Sequence, residues 1–519
     1  MPSNGTTAEA VLWRTSSRNV IGVVFLITAI SIFVISTRHG IGILPDSTRY
    51  MRLDETPFDA PLYAWLLDIV RAADGSVVTW ARVLGLVFVC VNILLIWLML
   101  SSTTTSAAAL GTALIVTSPQ FIFLHAVAMS EPLFIGLVLT TVLLFCRYFE
   151  SRKGYFLVFT GVTLGLAMLA RFTAAPLALA IAACLLLDRP RLLARRFLDI
   201  ALIAITSGVI FLTWAIGSRL AGGNGLGREL RLNGNPDAES WLSGLNTLTN
   251  LLVPMALPFP IRLLLLIAAV AVSGTVMWIC SRRILKESAA GRVLTLDRLP
   301  LVLGLFAIFY CLFMIIAVHV EANLPLFGPR SRYAVPLYIA VVMATTVALG
   351  GPYRVRLPRL VLWAFSVLIA VVLAAHLVRS TDRVWRAYAT GIGYDATAWH
   401  SSPLVQFVKD LPADAIVYSN GADALGYLTG RFVRLVPRQF DRRTQREDPN
   451  NTLEEQILSL RRSIISGNGY VVFFDAITSR FYNLPENDLV KVVPLSLYKQ
   501  LPDGRVYVLD QTRIESAER

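Results

Sequence analysis

The chain has 519 residues, 55% of them hydrophobic and 16% charged, with a net charge of +13 and a mean hydropathy of +0.62. Soluble globular chains carry ~25% charged residues, so these figures exclude a water-soluble enzyme and indicate an integral membrane protein. Residues 379–519 hold 18 basic and 17 acidic side chains, against 29 and 17 in residues 1–378. The positive excess therefore flanks apolar runs instead of forming one patch, which makes nucleic-acid binding a poor explanation for it.

Apolar stretches long enough to span a bilayer are expected near 20–36, 78–100, 106–122, 130–149, 155–170, 172–187, 197–217, 261–281, 299–318, 333–350 and 359–378, about eleven in all. The first reads as a retained signal anchor, since no cleavage site follows it. With a cytoplasmic N-terminus, the even-numbered spans return to basic clusters at 147–153, 189–196, 282–283 and 354–356, as the positive-inside rule requires. The short loop 101–106 carries no charge. That topology puts 37–77, 119–130, the turn at Arg171, 218–260, 319–332 and everything after 379 on the outer face.

The first outer loop, 37–77, holds Pro45-Asp46-Ser47-Thr48-Arg49-Tyr50 and, behind it, Asp54, Glu55 and Asp59. An isolated loop acid is ordinarily just solvated. Asp46, close to the lipid surface and crowded by other carboxylates, suits a general base or a divalent-cation ligand. Ala60-Pro61-Leu62-Tyr63-Ala64-Trp65 opens a short amphipathic helix expected to lie on the membrane surface.

Residues 83–130 carry no Asp, Glu, Lys or Arg, and Glu131 ends that run. An ionisable group at the hydrocarbon edge is a functional candidate; the alternative is an acid favoured by the helix dipole, with Pro132 in the first turn. His125 lies in the same outer turn and is taken as accessory, positioning substrate. Arg171 sits at an outer turn, and Arg330 and Arg332 precede Tyr333 on the outer face, all against the positive-inside bias. Such arginines need an anionic partner, either a lipid headgroup or a phosphate that matches the guanidinium fork. Residues 218–245 are rich in Gly and Asn and read as a long outer lid.

Beyond residue 379 the composition becomes that of a soluble α/β domain of ordinary size. Strands are expected at Ala415–Tyr418, Tyr470–Phe474, Leu489–Val493 and Val506–Leu509. A helix opens at the capping box Thr452-Leu453-Glu454-Glu455, and Pro502-Asp503-Gly504 makes a turn. The five cysteines (90, 146, 184, 280 and 311) fall in or beside apolar runs, without disulfide or metal-site spacing.

Taken in order, Asp46-Ser47-Thr48-Arg49-Tyr50, Ala60-Pro61-Leu62-Tyr63, Ser130-Glu131-Pro132-Leu133-Phe134, Ala170-Arg171-Phe172-Thr173 and Arg332-Tyr333-Ala334-Val335-Pro336 resemble the GT-C superfamily of integral-membrane glycosyltransferases. Its members include the protein O-mannosyltransferases and the aminoarabinose transferase of lipid A. The stretch from Val417 to Arg431 resembles the outer domain of bacterial members.

The resemblance implies a multi-pass α-helical catalytic domain over residues 1–378 and an extracytoplasmic α/β domain over 379–519, in a bacterial cytoplasmic membrane. It implies transfer of a sugar from a polyprenyl-phosphate donor to a lipid, glycan or protein acceptor, with inversion. Asp46 is the expected base, with Glu131 positioning the acceptor. Arg171, Arg330, Arg332 and Tyr333 are expected to bind the donor phosphate, and Arg49, Tyr50 and His125 to position substrate. Many relatives carry two adjacent acids in the first loop, whereas Ser47 follows Asp46 here, so a divalent cation held by Asp46 and Glu131 is left open. Two other readings remain: a lipid-linked sugar flippase, and a non-catalytic partner in envelope glycan assembly.

Overall fold

The computed structural model describes residues 5–53, 60–73, 75–220, 238–289, 296–320, 332–441, 446–465, 469–478 and 480–510, with the helix backbone alone for 5–16. Mostly apolar runs fold as helices, with proline confined to their first turns: α1 (Gly5–Ser36), then the short α2 (Pro45–Tyr50) and α3 (Leu62–Arg71), then α4 (Val77–Met99), α5 (Thr105–Val116), α6 (Pro119–His125), α7 (Glu131–Ser151), α8 (Gly154–Ala170), α9 (Ala175–Leu186), α10 (Leu193–Leu220), α11 (Ala238–Leu252), α12 (Phe259–Ala289), α13 (Leu299–Val320), α14 (Val335–Gly350) and α15 (Arg359–Thr390).

Among the described residues, eight helices are long and apolar enough to cross a membrane, or nine if α5 and α6, bent by 63°, count as one span. The expected eleven therefore exceeds what length supports. The stretches near 155–170 and 172–187 do form helices, Gly154–Ala170 and Phe172–Leu186, but these fall in the 10–17-residue class. The extended backbone of Arg171, at φ −158° and ψ 133°, divides them. The expected surface helix is α3, with Tyr63, Ala64 and Leu67 buried and Trp65 and Ile69 exposed.

Two devices hold the bundle. Gly161 and Gly165 lie one turn apart on α8, and a Cβ on Gly165 would stand 3.0 Å from the Ser207 carbonyl oxygen of α10. Small residues at this spacing let membrane helices approach closely. The second device repairs the α5–α6 break, where carbonyls lose their helical donors and cannot turn to water. One face of α15 supplies replacements. Ser380 Oγ donates to Thr117 O at 2.6 Å and Arg383 Nη1 to Pro119 O at 2.9 Å. The buried His376 ring faces Leu251 O at 2.8 Å and Leu114 O at 3.3 Å.

After α15 the chain makes α16 (Thr397–His400), α17 (Pro403–Asp410), β1 (Ile416–Ser419), α18 (Ala422–Thr429), β2 (Arg434–Leu435), α19 (Leu453–Ile465), β3 (Gly469–Phe474), α20 (Glu486–Val492), β4 (Leu495–Leu501) and β5 (Gly504–Leu509). The sheet order is β2-β1-β3-β5-β4. Strand β1 runs parallel to β2 and β3, whereas β5 is antiparallel to β3 and β4. Alternation along β3 feeds two cores: Val471 and Phe473 pack with α19 and α20, Val472 and Phe474 with α17 and α18.

The capping box at α19 is present, with Glu455 N donating to Thr452 Oγ1 at 3.3 Å and Thr452 N to Glu455 Oε2 at 3.0 Å. One expected strand is overturned, because Leu489–Val493 belongs almost wholly to helix α20. Glu486 and Asp488 favour the first turn of a helix there. Tyr507 also donates to Glu486 Oε1 at 2.7 Å, and Leu489 and Val493, one turn apart, are both buried.

Replacing His376 by Leu removes the ring from the buried Leu251 O at the end of α11, while Leu114 O keeps the Tyr338 hydroxyl at 3.0 Å, so the cost is that of one lost buried bond, about 1–3 kcal/mol. Thermal melting in detergent should show a lower Tm for His376→Leu than for the wild type.

Candidate functional site

The strand-like entry to α2 is pinned on two sides. Gly42 pairs with Val127 and Ile43 with Gly393 in parallel bridges. Gly42 N donates to Ala126 O and Ala128 N to Gly42 O, both at 2.9 Å, and Leu44 N donates to Ser47 Oγ at 3.0 Å. These bonds place Asp46, next to Pro45 at the start of α2, beside the start of α7.

Asp46 accepts from Arg49 Nη2 at 2.7 Å on Oδ1 and from Arg332 Nη1 on Oδ2. Glu131, with a side chain 1% exposed, faces Arg171 Nη1 at 2.9 Å and Arg332 Nε at 3.9 Å. Neither contact is aligned as a hydrogen bond, so among the described residues the Glu131 oxygens are held by charge alone. Arg49, Asp46, Arg332, Glu131 and Arg171 thus form a chain of alternating charge with one positive charge in excess.

Neighbours fix the arginines. The Tyr333 ring has the guanidinium carbons of Arg171 and Arg332 each 5.0 Å from its centroid, a cation–π distance. Arg332 Nη2 also donates to the Tyr333 hydroxyl at 3.2 Å, and Tyr310 OH donates to Tyr333 O at 2.7 Å. Arg171 Nη1 donates to Ser130 Oγ at 3.2 Å, and the Ser130 and Tyr50 hydroxyls lie 2.9 Å apart. Tyr63 crosses Tyr50 edge-on at 5.3 Å. Burial, with Glu131 nearby, pushes the Tyr63 hydroxyl well above the ordinary phenol range.

The structure thus brings together Asp46, Glu131, Arg171, Arg332, Tyr333, Arg49 and Tyr50. His125 is elsewhere: its ring nitrogens face Asn92 Nδ2 at 2.9 Å and Phe121 O at 2.8 Å, within the joint of α4 and α6. Its polar atoms serve packing between helices. Arg330, Asp54, Glu55 and Asp59 lie outside the described residues, as do residues 221–237 of the Gly-rich loop. Ser130 was not singled out from sequence, although a hydroxyl residue just before the first helical acid is a recognisable signal.

For a divalent cation the fit is poor. Asp46 and Glu131 share a guanidinium, and among the described residues no three His, Cys, Asp or Glu side chains converge.

Residues 57–215 match the dolichyl-phosphate-mannose-protein mannosyltransferase family. That stretch includes Glu131 and Arg171 and begins after Asp46. The crystal structure of ArnT from Cupriavidus metallidurans bound to undecaprenyl phosphate aligns over 93% of this chain and 97% of that one, with 13% identity and a TM-score of 0.56. The chain resembles the GT-C membrane glycosyltransferases in sequence and in fold. The apo form of ArnT aligns over the same shares, at 13% identity and a TM-score of 0.55. The arabinofuranosyltransferase AftD from Mycobacteria aligns over 94% of this chain and 40% of that one, at 14% identity and a TM-score of 0.48. No curated protein matches the sequence.

Removing one partner of a buried ion pair costs about 3–5 kcal/mol. Arg171→Ala should therefore lower the melting temperature in detergent strongly. Adding Glu131→Gln should recover part of the loss, which a double-mutant cycle would measure.

Proposed function

We propose that this protein transfers a sugar from a polyprenyl-phosphate donor to a hydroxyl-bearing acceptor at the outer face of a bacterial cytoplasmic membrane. The observation that carries the reading is the alternating chain Arg49–Asp46–Arg332–Glu131–Arg171, whose excess positive charge suits one anionic headgroup. The shared fold supports it, since ArnT binds undecaprenyl phosphate in its crystal structure.

In this reading the acceptor hydroxyl oxygen attacks the anomeric carbon. The bond from that carbon to the phosphate oxygen breaks, and its electron pair stays on the phosphate. The hydroxyl proton passes to Asp46, and the single displacement inverts the configuration. Arg171 and Arg332 face the leaving phosphate as preorganised cations, and Arg330 is assigned the same role from the sequence. Among the described residues no hydrogen bond reaches either Glu131 oxygen, and in this reading Glu131 takes one from the acceptor.

Arg332 has a double part. It pairs with Asp46. The donor phosphate competes for the same guanidinium, and when Arg332 turns to it, Asp46 holds a proton more readily. Donor binding thus readies the base. Every step uses groups from this chain and a sugar already activated on its lipid, so the mechanism draws on no nucleotide.

Purified protein with a panel of radiolabelled polyprenyl-phosphate sugars and a native membrane extract tests this. Wild type should transfer label, and Asp46→Asn should lose about 10²–10⁴-fold in rate with normal membrane insertion. Equal transfer by both would remove Asp46 as the base. Tight binding of polyprenyl phosphate with no transfer from any donor would favour a flippase.

A further inference from the structure

A second charged cluster lies where the chain leaves α15 and enters the C-terminal sheet. Tyr394 donates its hydroxyl to Asp423 Oδ2 at 2.9 Å. Arg480 Nη2 donates to Asp423 Oδ1, and lies 3.3 Å from the Tyr394 hydroxyl. Asp423 and Arg480 have side chains only 9% and 12% exposed. Burial and the Asp423 carboxylate hold the Tyr394 hydroxyl well above the ordinary phenol range, so it stays a donor.

The cluster's partners run straight to the candidate base. Asp423 is in the first turn of α18 and Arg480 follows β3, so both belong to the sheet and its helices. Tyr394 belongs to the connector, and its backbone N donates to Ile43 O at 2.8 Å, three residues before Asp46 in the chain. Gly393, at φ +65°, lets that connector approach, and a Cβ there would collide with the Ile43 carbonyl. Ala424 of α18 packs in one buried cluster with Ile43, Tyr50, Met51 and Tyr394. A neighbouring bond from Tyr427 OH to Asp395 Oδ1, at 2.9 Å, closes the other side of the connector.

We propose that Tyr394, Asp423 and Arg480 form a positioning clamp that fixes the Asp46 loop to the C-terminal sheet. The sheet is then part of the transfer machinery, acting through the loop and not by touching the reacting atoms. The catalytic side of this inference rests on Asp46 being the base, as proposed above; the mechanical side does not.

The test reads the loop directly. Ser47 is fully buried beside Asp46, so Ser47→Cys in the full-length protein, probed with a membrane-impermeant maleimide against the wild-type background, reports opening of the loop. Adding Arg480→Ala should speed labelling at least about tenfold, as more frequent local opening does. Tyr394→Phe, which leaves the sheet's own residues untouched, should speed it in the same direction. Arg480→Lys, which keeps a charge for Asp423, should return labelling to its slow rate.

In transfer assays, with Ser47 restored, Arg480→Ala should lower kcat by about ten- to a hundredfold, the scale of a misplaced catalytic group, with KM for the donor unchanged. Slow labelling in the Arg480→Ala or Tyr394→Phe background, whatever the activity, would overturn the clamp. So would a fall in activity carried by KM alone. The labelling uses no donor, so it decides the clamp even where no sugar is transferred.

Discussion

A carboxylate buried at the first turn of a long apolar helix dominates the design of this protein. Glu131 opens α7 with a side chain 1% exposed, and an ion in that position is costly unless cations stand close. Arg171, from the turn after α8, and Arg332, from the turn before α14, meet the need. Three separate helix ends are thereby fixed by one charge. Arginine suits the task better than lysine, because a planar guanidinium can face two carboxylates and lie against an aromatic ring together. Arg332 does all three, with Asp46, Glu131 and Tyr333.

The surrounding helices serve this convergence. Arg171 can reach Glu131 because α8 ends there in extended backbone. Close packing of α8 on α10 through Gly161 and Gly165 holds that end in place. The bent α5–α6 pair leads into Val127, which pairs with Gly42 on the way to Asp46. The polar face of α15 closes the same bend. A single bundle end therefore carries the charges, the bend and the connector to the sheet.

Much of this was legible in the chain. Asp46, Glu131, Arg171 and Arg332 stand out because charge is scarce in apolar sequence, and the structure joins them. The box at Thr452 also read correctly, since capping is local. What failed depended on context. Leu489–Val493 has the composition of a strand, yet Tyr507 grips Glu486 and the segment turns helical. His125 was taken as accessory by position, and its ring faces Asn92, 33 positions away in the chain. The stretches around Arg171 carry the hydropathy of spans and not the length. The Tyr394–Asp423–Arg480 cluster left no pattern, its partners lying 29 and 57 positions apart.

Helix α15 has 32 residues, so it is about 48 Å long at ~1.5 Å per residue. A bilayer core is only ~30 Å thick. Its apolar part ends at Val378, and Arg379, Asp382, Arg383 and Arg386 follow before Thr390. The last turns thus rise clear of the hydrocarbon like a mast, with the connector to Ile43 tied at the top. The loop that carries Asp46 is thus tied just past the part of α15 that an apolar layer of that thickness could cover.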